Sequence, residues 1–138
     1  MAECCGNGNR LIYACSGAAD VGEIADRVAR KLAKEGFAKL SCLAGVGGHV
    51  SGFIASALGE VENIVIDGCP LACAQKTLQH IDAKMTHYVL TDMGLEKGKT
   101  PATDSIVEEI ANQISKKSPN KLQHGSSSFV GGCTCGSC

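Results

Sequence analysis

No stretch of this 138-residue chain is both apolar and long enough to cross a bilayer, which takes about 20 such residues in a row. No membrane partner is expected. A basic surface is missing too: 13 Lys and Arg against 14 Asp and Glu leave a formal charge of −1, with the cations scattered singly. Nothing in that pattern grips a phosphate backbone, so nucleic acid is not an expected partner either. The opening residues Met1–Asn9 hold no basic stretch followed by an apolar run and a small-residue cleavage site, which makes the cytoplasm the expected location. Several chemical fingerprints are also absent, among them Gly-x-Gly-x-x-Gly, a P-loop Lys-Ser/Thr, a carboxylate cluster and a Ser/His/Asp set. The sequence therefore names no specific reaction.

Cysteine is the residue in excess, with nine copies. In a reducing compartment they are better explained by metal ligation or thiol chemistry than by structural disulfides. Their odd number also forbids complete pairing within one chain.

Length and composition fit one domain, since a chain of this size buries roughly two thirds of its unfolded surface without cross-links. Four apolar runs read as buried strands: Leu11-Ile12-Tyr13-Ala14, Lys39-Leu40-Ser41, Ile64-Val65-Ile66 and Tyr88-Val89-Leu90. Helical spacing of Val21, Ile24, Ala25, Val28 and Leu32 predicts a first helix, with Asp20 and Glu23 as a capping box and Gly36 beyond its end. A second is predicted to carry Val50, Phe53, Ile54, Ala57 and Leu58. The third is predicted to begin at Pro70 and bury Leu71, Ala74, Leu78 and Ile81. A fourth follows Pro101, with Ile106, Val107, Ile110, Ala111 and Ile114 inward. Strands alternating with single helices indicate βαβ units. The expectation is an α/β three-layer sandwich on a small, mostly parallel four-stranded sheet, spanning residues 10–117. Residues 1–9 are expected to be a flexible N-terminus, and 118–138, rich in Ser, Gly, Lys and Asn, a flexible Cys-rich tail.

Cys15 follows the first strand, Cys42 the second and Cys69 the third, so a parallel sheet sets all three at one edge. Open α/β sheets bind ligands there, outside the carboxyl ends of their strands. Cys73 lies four residues past Cys69, one helical turn on, and brings the sulfurs to four, the tetrahedral number zinc prefers. Backbone amides of Ser16-Gly17 and Gly45-Val46-Gly47-Gly48 are expected to offset the charge of four thiolates. Cys-x-x-x-Cys is not a zinc-ribbon spacing, and a Cys₄ set also suits an iron–sulfur cluster. Free cysteines acting as small buried apolar residues would explain any one of these positions better than all four together.

Other residues have plainer roles. Asp67 is expected to organise the turn before Cys69 rather than act as a base, and Gly45–Gly48 lacks the residues of a phosphate cradle. His49 could serve as a base or alternative ligand. His80, His87 and His124 lack a motif, and Lys76, Lys97 and Lys99 are expected to face water. Cys133, Cys135 and Cys138, with Cys4-Cys5 at the other terminus, either pass metal or oxidising equivalents to the core or form an incidental thiol cluster.

The motif Ile66-Asp67-Gly68-Cys69-Pro70-Leu71-Ala72-Cys73-Ala74-Gln75-Lys76-Thr77-Leu78 resembles the signature of the DGC-domain family. So do Ala14-Cys15-Ser16-Gly17, Ser41-Cys42-Leu43-Ala44-Gly45 and Thr91-Asp92 with Gly94. The resemblance covers residues 11–114. It implies a small α/β fold with Cys15, Cys42, Cys69 and Cys73 as zinc ligands, and no established activity. The chain departs from the family pattern at Ala18 and Ala19, where a hydroxyl-bearing residue is common.

The expected function is thus a small zinc protein without catalysis of its own. Two alternatives stay open. One is a thiol-redox or sulfur-transfer enzyme with Cys69 or Cys15 as nucleophile, docking a thiol-redox or metal-transfer partner through Cys133, Cys135 and Cys138; the other is an iron–sulfur electron carrier.

Overall fold

Four strands, β1 (Arg10–Ala14), β2 (Lys39–Leu40), β3 (Glu62–Asp67) and β4 (Met85–Val89), pair in the order β2-β1-β3-β4 with every neighbour parallel. Among the described residues, five α-helices connect and flank them: α1 (Asp20–Lys34), α2 (Leu43–Gly47), α3 (Ser51–Leu58), α4 (Cys73–Gln79) and α5 (Asp104–Lys117). This computed structural model describes residues 10–59 and 61–119. What the sequence leads one to expect of residues 1–9 and 120–138, including Cys4, Cys5, His124, Cys133, Cys135 and Cys138, lies outside the described residues.

β1 is buried along its whole length and β3 beyond its first residue, as near-continuous apolar runs must be when helices cover both faces of a parallel sheet. Ile12, Ile64 and Ile66 pack against Ile24, Val28 and Leu32 of α1 and Ile110 and Ile114 of α5. On the opposite face Leu11, Tyr13 and Val65 meet Val46 of α2, Ala57 of α3, and Ala74 and Leu78 of α4. The result is the expected three-layer α/β sandwich, its sheet wholly parallel. Because β1 leads through α1 to β2 while β3 adds to the other side of β1, the chain reverses direction between β1 and β3. A crevice opens outside their carboxyl ends, as it does wherever strand order reverses.

Local structure departs from the sequence reading in four places. The segment after Cys42, expected as a glycine-rich turn, is the short helix α2, separated from α3 by left-handed His49 at φ 55°. Gly45 is what permits the pairing: a Cβ there would stand 2.3 Å from the Phe53 ring. The helix after β3 starts at Cys73 instead of Pro70, because Ala72 is left-handed (φ 52°, ψ 47°), and Leu71 is 59 % exposed rather than buried. Asp20 is the first residue of α1 and forms no capping box; Ala19 takes the cap position with no side-chain bond. Finally, β2 is exposed at both of its residues rather than buried, as a two-residue edge strand can be; α5 follows Pro101 as expected, capped by the Thr103 hydroxyl, which accepts from Ile106 N–H.

Candidate functional site

The carboxyl ends of the strands deliver the cysteines. Cys15 directly follows β1, and its N–H extends the ladder to Ile66 C=O at 3.0 Å, so its backbone is fixed by β3. Its Sγ accepts Gly68 N–H at 3.4 Å. Cys42 stands at the N-cap of α2, where Sγ accepts Gly45 N–H at 3.3 Å, a role usually filled by Ser, Thr, Asp or Asn. Cys69 lies in the turn after β3, and the Lys97 ammonium donates to its Sγ at 3.6 Å. Cys73 opens α4. Cys42 and Cys73 are exposed, and Cys15 and Cys69 half-buried.

These four residues surround two adjoining crevices. The first, about 490 Å³, is lined by Cys15 and Cys42 with Ser16, Asp26, Arg30 and Thr77. The second, about 300 Å³, holds Cys15, Cys69 and Cys73 with Gly68, Leu71 and Lys97. Cys15 lines both, whereas of these two Cys42 lines only the first and the Cys69 and Cys73 pair only the second. Among the described residues, no three Cys, His, Asp or Glu side chains form a group that could hold a metal ion. Four soft sulfurs are a donor set suited to zinc. Their spacing in this structure does not close a shell around one.

Asp67 is 1 % exposed and carries three partners: Ala74 N–H at 2.9 Å, Gln75 N–H at 3.0 Å and His87 Nε2 at 2.8 Å. Its carboxylate does for α4 what a local cap would do, and so fixes where Cys73 begins the helix. The expected structural role holds. Packing between the cysteine loops is tight, since a Cβ on Gly68 would come within 2.7 Å of the Val21 backbone and one on Gly22 within 2.6 Å of Gly17 O. Beside Cys15, the Ser16 hydroxyl donates to Asp26, which also accepts from Arg30. Burial works to raise the Asp26 carboxyl, but the bonds from Arg30 and Ser16 outweigh it and hold the group below its ordinary value.

Three participants escaped the sequence reading. Lys97 faces water as expected but also reaches Cys69, 28 residues away. Asp20 pins the loop that carries Lys97, accepting N–H bonds from Gly98 at 2.9 Å and Thr100 at 3.0 Å. Those amides, Gly98 first, hold its carboxyl below the usual aspartate value against a smaller desolvation effect. His87 is the partner of Asp67 rather than an isolated histidine. No local motif marks any of these pairings. His49, His80, Lys76 and Lys99 are exposed. Gly45, Val46 and Gly48 spend their amides on Cys42 and Ala44, so this segment is no open phosphate cradle.

The family model of the DGC domain matches residues 11–116. The chain belongs to the DGC-domain family. It is similar to the anaerobic and virulence modulator AnvM of Pseudomonas aeruginosa, 38 % identical over 88 residues, covering 63 % of this chain and 67 % of that relative. No solved structure matches this DGC-domain chain. Among its described residues, no helix is long and apolar enough to cross a membrane.

Proposed function

We propose that this DGC-domain protein is a metal-binding regulator without catalysis of its own, whose Cys15, Cys42, Cys69 and Cys73 take up a zinc ion. The observation that carries the reading is the common placement of all four cysteines at the carboxyl rim of β1, β2 and β3, with three of the sulfurs already accepting donors from the chain. Donors aimed at sulfur are also the outer partners that orient metal ligands. Because Cys42 borders a different crevice from Cys69 and Cys73, uptake has to draw α2 toward the α4 turn, with Cys15 between them. Such a rearrangement turns metal arrival into a change of shape, which is what a regulator needs. The relative named as a modulator supports a regulatory role over a metabolic one.

Protein purified without added metal is expected to carry one zinc per chain by elemental analysis and to lose it in Cys69→Ser. Absence of zinc, with Cys69→Ser folded and otherwise unchanged, overturns the reading. The contact from Lys97 to Cys69 favours a second reading, thiol chemistry with Cys69 as nucleophile. In that case Cys69 of the metal-free protein is alkylated much faster than Cys73, and uniformly slow labelling dismisses it.

A further inference from the structure

Among the described residues, the outer side of β2 carries no neighbouring strand. Along it runs a groove of about 400 Å³ whose apolar wall is Leu11, Leu40 and Phe53 and whose upper end is Cys42. From Ser41 to Gly59 the chain holds no Asp, Glu, Lys or Arg. Apolar side chains in and beside this stretch nonetheless face water: Leu40 is 37 % exposed, Val50 50 % and Leu58 52 %. Apolar surface beside an unpaired strand edge, here with Arg30 and Lys39 also lining the groove, is a docking surface for an extended segment.

The chain supplies one. Arg10, at the foot of β1, donates from Nη1 to Ser118 C=O at 3.2 Å and from Nη2 to Pro119 C=O at 3.5 Å. Its guanidinium also lies 4.7 Å from the centre of the Phe37 ring, just before β2. The Ser118 hydroxyl also lies 2.6 Å from Tyr88 OH of β4, so the C-terminal segment starts between Arg10 of β1 and Tyr88 of β4. Phe129 lies ten positions after Pro119, a span of up to about 33 Å when extended. Phe129-Val130 is the only adjacent pair of Phe, Leu, Ile, Val or Met residues between 120 and 138, and Cys133 follows four residues after Phe129. That offset is about 13 Å in extended chain, the scale of a groove leading up to the rim.

We propose that the C-terminal segment of the same chain occupies this groove, with Phe129 and Val130 against Leu40 and Phe53 and Cys133 beside Cys42. Docking of this kind delivers the Cys133, Cys135 and Cys138 cluster to the rim at high effective concentration, because both partners share one chain. It does not depend on whether the rim holds a metal.

Alkylation of the full-length, reduced and chelator-treated protein tests it, with Cys42 as reporter and Cys73, which lines the other crevice, as internal control. The expected result is a several-fold faster reaction of Cys42 when Phe129→Asp and Val130→Asp are combined, with Cys73 unchanged and Phe129→Leu close to the parent. Equal Cys42 rates in parent and double variant overturn the proposal. So does protection of Cys42 that disappears on dilution, which would identify a second copy as the occupant.

Discussion

The two helical layers of this protein are built differently, and the cysteines follow the difference. On one face α1 and α5, 15 and 14 residues long, bury regular apolar stripes against the sheet. On the other, α2, α3 and α4 have 5, 8 and 7 residues and begin in unusual ways: a cysteine cap on α2, left-handed His49 ahead of α3, left-handed Ala72 ahead of α4. Helices shorter than about 12 residues are marginal alone, so those three hold their places through tertiary contacts. Cys42 and Cys73 both stand at the start of such helices. One layer anchors the sheet, and the other sets the rim.

The contrast can be broken most severely from the anchoring side. Ile24→Ala in α1 empties a fully buried position and is expected to cost about 2–5 kcal/mol in chemical denaturation. Val50→Ser on the opposite layer, half exposed, should change stability by less than about 0.5 kcal/mol. Comparable losses at both sites would erase the distinction. Asp67→Ala comes next, at about 1–3 kcal/mol, because it strands the buried Ala74 amide, the part-buried Gln75 amide and His87. Hydrogen exchange should then quicken at Ala74 and Gln75 while α1 and α5 stay protected.

Smaller effects sharpen the same picture. Ala72→Gly should stabilise by about 1 kcal/mol, since a left-handed alanine stores roughly that much strain; a loss of stability would mean that the turn before α4 is not left-handed. Asp20 contributes least and is read locally. Its carboxyl is depressed in the folded state, so its bonds to Gly98 and Thr100 are in place above the ordinary aspartate value of 3.8 and fade as pH falls through the lower folded value. The amide resonances of Gly98 and Thr100 should titrate below pH 3.8, and Asp20→Asn should remove that response while leaving the core intact.

How much of this was legible follows the same division. Val21, Ile24, Val28 and Leu32 announce α1 because a long helix repeats its period often enough to be read. The buried runs of β1 and β3 were equally plain, whereas exposed β2 was misjudged as buried, and with the strands came the rule that places Cys15, Cys42 and Cys69 on one rim. Short helices give periodicity little room, so α2 was hidden among Gly45, Gly47 and Gly48, and the left-handed turn at Ala72 concealed the true start of α4. Contacts between distant segments leave no local pattern at all. Lys97 reaching Cys69, His87 meeting Asp67 and Asp20 holding Gly98 depend on strand order, which only the folded sheet reveals. The sequence also pointed to four sulfurs in one cluster, whereas they border two crevices that meet at Cys15.

Titration of the metal-free protein with cobalt(II), a coloured stand-in for zinc, tests the central claim most directly. The account predicts sulfur-to-metal charge-transfer bands that saturate at one ion per chain, weaken when any of Cys15, Cys42, Cys69 or Cys73 is changed to Ser, and disappear on adding zinc. Absence of such bands in folded protein, or bands indifferent to all four substitutions, would contradict it.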